Sequence, residues 1–172
     1  GYKTAEDIER VVRGYRDHQL PIDMVYLDID YMQDYKDFTV NAERFPAFEQ
    51  FVQKMKAEKI HLIPIIDAGV KIEKGYEIYE EGLEKGYFCK REDGSAFVAA
   101  VWPGWTHFPD VLNPDARAWF GGKYELLTSL GIDGFWNDMN EPAIFYSEEG
   151  IRALNQAVSD HVKTFGADAM VD

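Results

Sequence analysis

Carboxylates follow three apolar runs of this sequence. Asp28 and Asp30 end the first run, Asp67 ends the second, and Asp138 follows the third. Parallel strands place their carboxyl ends at one edge of a sheet, and the active sites of α/β folds lie at that edge. If the three runs are successive strands of one sheet, these carboxylates face a common site.

Clustered carboxylates suit two kinds of chemistry. They bind divalent cations, which prefer oxygen ligands, or they cleave glycosidic bonds, which requires a carboxylate nucleophile and a carboxylic acid. Aromatic rings near the carboxylates favour sugar chemistry, because their flat faces match the C–H faces of a sugar. The aromatic residues at this end of the predicted strands are Trp102, Trp105, Phe108, Trp136 and Phe145. A metal site for phosphates would instead require Lys and Arg. We therefore expect a sugar site with no metal and no organic cofactor.

The most informative segment is 134–142, which reads GFWNDMNEP. The third apolar run ends there in two carboxylates, Asp138 and Glu141, and Pro142 keeps the backbone from continuing directly into a helix. This string resembles the nucleophile motif of glycoside hydrolase family 31, in which the aspartate before Met-Asn-Glu forms the covalent bond to the sugar. The resemblance implies that Asp138 is the nucleophile.

Further segments resemble the same family and occur in the family's order. They read YLDIDYM at 26–32, DFT at 37–39, IPIID at 63–67, VWPG at 101–104 and FPD at 108–110. The resemblance extends over about residues 1–150. It is closest to the small bacterial α-glucosidases of the family.

The resemblance also implies roles around the cleaved sugar. Asp28 is expected to bind sugar hydroxyls, Asp67 to lie near the floor of the subsite, and Glu141 to assist catalysis by positioning the loop and tuning Asp138. The other expected substrate-binding residues line the subsite: Ile29, Ile65, Trp102, Trp136 and Met139. The implied activity is retaining hydrolysis of terminal α-linked glucose from small oligosaccharides, through a covalent glycosyl-aspartate.

Helical and strand-like segments alternate around these residues. Thr4 and Asn113 have the side chains of helix N-caps, and a last helix is predicted over about 148–165. A further helix is predicted from Phe45-Pro46, carrying an apolar stripe. The apolar runs predict parallel strands, and the first of them suits a strand buried on both faces.

This alternation predicts an α/β fold with a parallel sheet and helices outside it. The family resemblance makes it a (β/α)₈ TIM barrel, of which about three to four β/α units are present. We interpret 1–172 as a partial catalytic barrel domain. The uneven spacing of the strands predicts an insertion loop over about 68–112.

The composition of the chain limits the kinds of molecule that the protein is expected to bind. The net charge of −13 argues against nucleic acid and anionic membranes, and no apolar run is long enough to span a membrane. A neutral sugar fits this charge. The single cysteine, Cys89, cannot form an internal disulfide, which favours a cytoplasmic setting.

Three alternatives remain open on these grounds. They are an α-xylosidase of the same family, a non-catalytic sugar-binding barrel remnant, and a metal-dependent hydrolase that uses Asp28, Asp30 and Asp67. The family's acid/base aspartate lies on a later strand, and no matching motif occurs between Pro142 and Asp172. The isolated chain is therefore expected to be inactive.

Overall fold

The computed structural model describes residues 1–166, in which helices and strands alternate as predicted. In chain order the elements are α1 (Ala5–Asp17), β1 (Met24–Leu27), a 3₁₀ helix (Ile29–Tyr31), α2 (Phe48–Ala57), β2 (His61–Ile66), β3 (Val70–Lys71), α3 (Glu77–Glu84), β4 (Ala99–Val101), β5 (Gly104–His107), α4 (Pro114–Lys123), α5 (Glu125–Thr128), β6 (Trp136–Asn137), β7 (Tyr146–Ser147) and α6 (Glu148–Phe165). Strands β1, β2 and β6 form a parallel sheet in that order.

Helix α1 begins directly after Thr4, as predicted, because Thr4 and Asp7 form a capping box. The Thr4 hydroxyl oxygen accepts a hydrogen bond from the Asp7 N–H at 3.1 Å, and the Asp7 carboxylate accepts one from the Thr4 N–H at 3.2 Å. These bonds satisfy donors that a first helical turn leaves unpaired. The helix then buries Ile8 and Val12 in the core.

Helix α2 buries the predicted apolar stripe, which consists of Phe48, Phe51, Val52 and Met55. It begins at Phe48 rather than at Phe45-Pro46, because Ala47 adopts a left-handed conformation with a φ of 48° that cannot continue from the preceding turn. The stripe joins the core cluster beneath β1 and β2.

Strand β1 is buried on one face only, so the prediction of burial on both faces is wrong. Val25 and Leu27 lie in the core with α1 and α2, whereas Met24 and Tyr26 are 46% and 51% exposed. Successive side chains of a strand point to opposite faces. We call the face that carries Met24 and Tyr26 the open face. In a complete barrel, side chains of other strands fill this space, and residues 1–166 supply three parallel strands.

Strand β6 is shorter than the predicted strand, which began at Ile132. Only Trp136 and Asn137 pair with β2. Ile132 and Phe135 pack against the core cluster, so burial rather than strand pairing explains why this stretch is apolar. Asn113 caps α4 as predicted, because its side-chain oxygen accepts a hydrogen bond from the Asp115 N–H at 3.0 Å.

Residues 68–112 hold most of a second, antiparallel sheet, and their identity as an insertion stays a prediction. Strands β3, β4 and β5 pair there, and β7 completes the order β3-β5-β4-β7. Trp102-Pro103 forms the turn between β4 and β5. Met139, the residue after Asp138, packs in a small cluster with Ala99 and Val101 of β4. This sheet is therefore in contact with the segment that carries Asp138.

Helix α6 spans the predicted residues, and Ser147 caps it by accepting a hydrogen bond from the Gly150 N–H at 3.1 Å. Its apolar stripe is exposed rather than buried; Ile151, Leu154, Val158 and Val162 are 38–63% exposed. Among residues 1–166, no helix is both long enough and apolar enough to cross a membrane.

Candidate active site

The register of the parallel sheet places the carboxylates side by side. The last aligned pair between β2 and β6 is Ile66 with Asn137, so Asp67 and Asp138 each follow directly after the end of their strand. The Asp138 N–H donates to the Ile66 carbonyl at 3.2 Å, which continues the contact beyond the strand. Asp28 follows directly after β1, whose last residue, Leu27, aligns with Pro64 of β2.

Strand alternation puts the three carboxylates on the open face. Asp28 has the same parity as Tyr26, and Asp138 has the same parity as Trp136. The rings of Tyr26 and Trp136 meet edge to face at 6.1 Å across the sheet. Nε1 of Trp136 donates to the Leu27 carbonyl at 3.2 Å, which fixes the indole beside the end of β1.

Asp28 belongs to the 3₁₀ helix that follows β1. Its Oδ1 accepts a hydrogen bond from the Ile29 N–H at 2.8 Å, which caps that helix. The Asp28 side chain as a whole is 41% exposed. Ile29 is half-buried, one residue further along.

Asp30 lies two residues after Asp28, within the 3₁₀ helix. Its carboxylate forms an ion pair with Arg44 at 3.3 Å. Within the part of the chain that the structure describes, no group of three or more His, Cys, Asp or Glu side chains is arranged to hold a metal ion. Asp28, Asp30 and Asp67 therefore do not form such a group.

Asp67 has the most perturbed environment of the three carboxylates. It is 2% exposed, and neither of its side-chain oxygens has a hydrogen-bond partner among residues 1–166. Burial first, and then the charges of Asp138 and Asp28, together raise the pKa of Asp67 from 3.8 to about 7. The pKa thus reports that the three carboxylates lie close together.

Two residues that the sequence analysis did not select hold the end of β2. Oδ1 of Asp37 accepts a hydrogen bond from the Asp67 N–H at 2.9 Å, and the Tyr31 hydroxyl donates to the Ile65 carbonyl at 2.9 Å. Burial raises the pKa of Asp37 well above its usual value. The signal for Asp37 was its place in the DFT motif at 37–39, which the family resemblance singled out without a role.

The remaining candidate residues are distributed around this centre. Ile65 is 1% exposed and aligns with Trp136. Met139 is 9% exposed and has a left-handed backbone with a φ of 58°, so the chain turns sharply after Asp138. Trp102 is 49% exposed and meets Phe145 edge to face at 5.0 Å. Glu141 is exposed at the surface.

A cavity of about 490 Å³ lies beside two of the carboxylates. Asp67 and Asp138 border it together with Phe108, Phe120 and Tyr124. The other seven candidate residues do not border it. Asp28 and Trp136 have the parity of the open face and do not border this cavity.

Comparison with known proteins agrees with this geometry. Residues 1–168 match the family described as "Glycosyl hydrolases family 31 TIM-barrel domain". "Alpha-glucosidase 2" of Bacillus thermoamyloliquefaciens is 42% identical over 144 residues, which cover 84% of this chain and 18% of that protein. The chain spans less than a fifth of the length of the curated relatives it matches.

Solved structures show the same backbone arrangement. A crystal structure of the endoplasmic-reticulum glucosidase II heterodimeric complex matches with a TM-score of 0.81 and 32% identity, covering 87% of this chain and 17% of that one. A family 31 α-xylosidase from a soil metagenome, solved with xylose, matches with a TM-score of 0.72 and 28% identity. The match covers 82% of this chain and 21% of the α-xylosidase chain. The predicted barrel fold is thereby confirmed. The family match along nearly the whole length shows that this chain belongs to glycoside hydrolase family 31 and carries part of its TIM-barrel domain.

Proposed function

We propose that the protein is a retaining α-glucosidase whose nucleophile is Asp138. One observation carries the proposal: Asp28, Asp67 and Asp138 converge at the ends of three adjacent parallel strands, close enough for two of them to raise the pKa of the third. Retaining glycosidases need a carboxylate beside the anomeric carbon. Glucose is supported as the sugar by the α-glucosidase name of the relative that is 42% identical.

The reaction has two displacements at the anomeric carbon. An oxygen of Asp138 forms a bond to that carbon while the bond to the glycosidic oxygen breaks, and the leaving oxygen takes a proton from a carboxylic acid. Water then attacks the same carbon, frees Asp138, and gives its proton to the acid's conjugate base. We assign no residue of this chain as that acid.

Asp67 assists the nucleophile through its protonation state. Asp138 has to be ionised to attack. With its pKa raised to about 7, Asp67 is substantially protonated at neutral pH, so it relieves the repulsion that a second full charge would place on Asp138. The protonated carboxyl also has an O–H to donate toward the sugar or toward Asp138.

The other site residues bind and shape the sugar. The partly exposed carboxylate of Asp28 accepts hydrogen bonds from sugar hydroxyls, while Trp136 and Trp102 offer flat apolar faces. Ile29, Ile65 and Met139 complete the apolar wall. Glu141, three residues after the nucleophile, steadies the loop that follows Asp138. These assignments rest on the open face that the strands share and on the motif that each residue matches.

Trapping of the covalent intermediate tests the nucleophile. The protein at its natural length is incubated with 5-fluoro-α-glucosyl fluoride, and the labelled peptide is identified by mass spectrometry. Fluoride leaves without a proton, so the readout does not depend on the acid. We expect one glycosyl adduct on Asp138, and none in Asp138→Ala. Asp23→Asn, at an exposed position before β1, serves as the control and should label normally. An adduct on another residue, or none on folded protein, refutes the assignment.

A substrate comparison with the same natural-length protein tests whether the sugar is glucose or xylose. Xylose lacks the hydroxymethyl group that glucose carries on C5, and the α-xylosidase among the similar structures makes this a specific alternative. We expect kcat/KM for an aryl α-glucoside to exceed that for the matching α-xyloside. The reverse ranking would make the protein an α-xylosidase. Sugar binding without hydrolysis of either substrate would support the non-catalytic remnant.

A further inference from the structure

One peptide unit links a buried loop carboxyl to the backbone of the nucleophile. This unit joins Ile66 to Asp67. Its carbonyl oxygen accepts the hydrogen bond from the Asp138 N–H at 3.2 Å, and its N–H donates to Oδ1 of Asp37 at 2.9 Å. Because a peptide unit is planar and rigid, the orientation set at its N–H also sets the direction of its carbonyl.

Asp37 is itself held in place. It is fully buried, and the Tyr76 hydroxyl donates to its backbone carbonyl at 2.8 Å. The next residue, Phe38, packs edge to face on Phe120 and Tyr124 of the α4 region. The loop that carries Asp37 is therefore anchored on both sides, and its Oδ1 is a fixed acceptor.

We propose that Asp37 is a positioning residue for the glycosyl transfer, which acts through the Ile66–Asp67 peptide to fix the attack geometry of Asp138. The inference rests on the proposed function, because it takes Asp138 as the nucleophile. Asp37 contacts neither the sugar nor the reacting atoms. Its effect is to hold the ends of β2 and β6 in register, where a displacement of about 1 Å costs about a hundredfold in rate.

The acceptor role does not require a charge on Asp37. Burial raises the pKa of this carboxyl well above its usual value, and its Oδ1 accepts a hydrogen bond whether the group is protonated or ionised. Asn has the same shape and a carbonyl oxygen at the same place. Asp37→Asn is thus the conservative variant, whereas Asp37→Leu and Asp37→Ser remove an acceptor that reaches the Asp67 N–H.

Single-turnover labelling of the natural-length protein with 5-fluoro-α-glucosyl fluoride separates positioning from folding. The amplitude of labelling counts folded sites, and the rate constant reports how fast each folded site attacks. We expect Asp37→Asn to label Asp138 within about threefold of the wild-type rate, and Asp37→Leu and Asp37→Ser to label at least about tenfold more slowly per site. Val52→Ala, in the core stripe of α2, is the destabilised control and should change the amplitude but not the rate constant.

The outcomes decide between the possibilities. Wild-type rate constants with lower amplitudes in Asp37→Leu and Asp37→Ser would show that Asp37 serves folding alone and would overturn the inference. A rate for Asp37→Asn at least about tenfold below wild type would also overturn it, even if neither other variant folds. Absence of label on Asp138 in the wild type refutes the proposed function instead, so the two failures are distinguishable.

Discussion

Replacement of Asp67 by asparagine should change how stability depends on pH. Burial, and then the charges of Asp138 and Asp28, raise the pKa of Asp67 from 3.8 in an ordinary carboxyl to about 7 in the folded protein. Between these values the folded state holds a proton that the unfolded state has lost. The free energy of unfolding therefore falls as the pH rises through this interval and levels off above it.

The magnitude follows from the pKa difference. Each pH unit in the interval costs about 1.4 kcal/mol. Starting from the pKa of 3.8, the loss is about 1.6 kcal/mol at pH 5, and it reaches about 4.4 kcal/mol above the folded pKa of about 7. The wild type thus loses about 3 kcal/mol between pH 5 and pH 8 through this group. The asparagine in Asp67→Asn does not titrate, so the variant should gain about 3 kcal/mol relative to wild type over the same interval.

Urea denaturation of the 172-residue chain, followed by circular dichroism at both pH values, measures this difference. Asp23→Asn is the matched control, because Asp23 is exposed and its side chain forms no ion pair among residues 1–166. Its stability difference from wild type should be the same at both pH values. A constant difference for Asp67→Asn would show that Asp67 is ionised at low pH like an ordinary carboxyl. A relative loss of stability at pH 8 would reverse the sign of the reasoning.

Three further changes test the core, the first helix and the sugar platform. Met55→Ala, at a position 1% exposed, should lower the free energy of unfolding by about 2–5 kcal/mol in urea denaturation, because it removes a buried side chain and leaves a cavity. Thr4→Ala breaks the capping box of α1 and should cost about 1 kcal/mol in the same assay. Trp102→Ala, at a side chain 49% exposed, should leave the thermal midpoint of the natural-length protein nearly unchanged but weaken glucoside binding about tenfold, measured as the Kd of a competitive inhibitor. Unchanged binding would remove Trp102 from the sugar site.

Local chemistry explains why the helix ends were predictable. Thr4, Asn113 and Ser147 each accept a hydrogen bond from a backbone N–H in the first turn of the helix that follows. Such caps involve residues two or three positions apart, so the sequence contains both partners. The start of α2 has no side-chain cap, because Ala47 precedes it. That start was predicted too early, since Phe45-Pro46 resembles a helix start that tertiary packing did not use.

The extent of strands and the state of their faces depend on distant chain segments. Residues 132–136 include three apolar side chains, Ile132, Phe135 and Trp136, yet only Trp136 pairs with β2, since pairing requires a partner more than 70 residues away. Likewise, apolar side chains at Met24 and Tyr26 do not reveal whether another part of the chain covers them. The three carboxylates were predictable because each directly follows an apolar run. Asp37 was not, because its function depends on a contact with Asp67 across a separation of 30 residues.

Hydrogen bonds from buried residues hold the backbone at the end of β2, next to the candidate site. Three consecutive backbone positions there are fixed from outside the strand: the Ile65 carbonyl by Tyr31, and the two ends of the Ile66–Asp67 peptide by Asp138 and Asp37. Side-chain packing holds the helix side of the same strands, while the open face stays accessible to a sugar. Side chains packed tightly around a carboxylate on the open face would hold it in place, but they would also occupy the space that the substrate needs. Backbone hydrogen bonds from buried residues meet this requirement, because they fix the backbone at Asp67 and Asp138 without surrounding the Asp138 carboxylate.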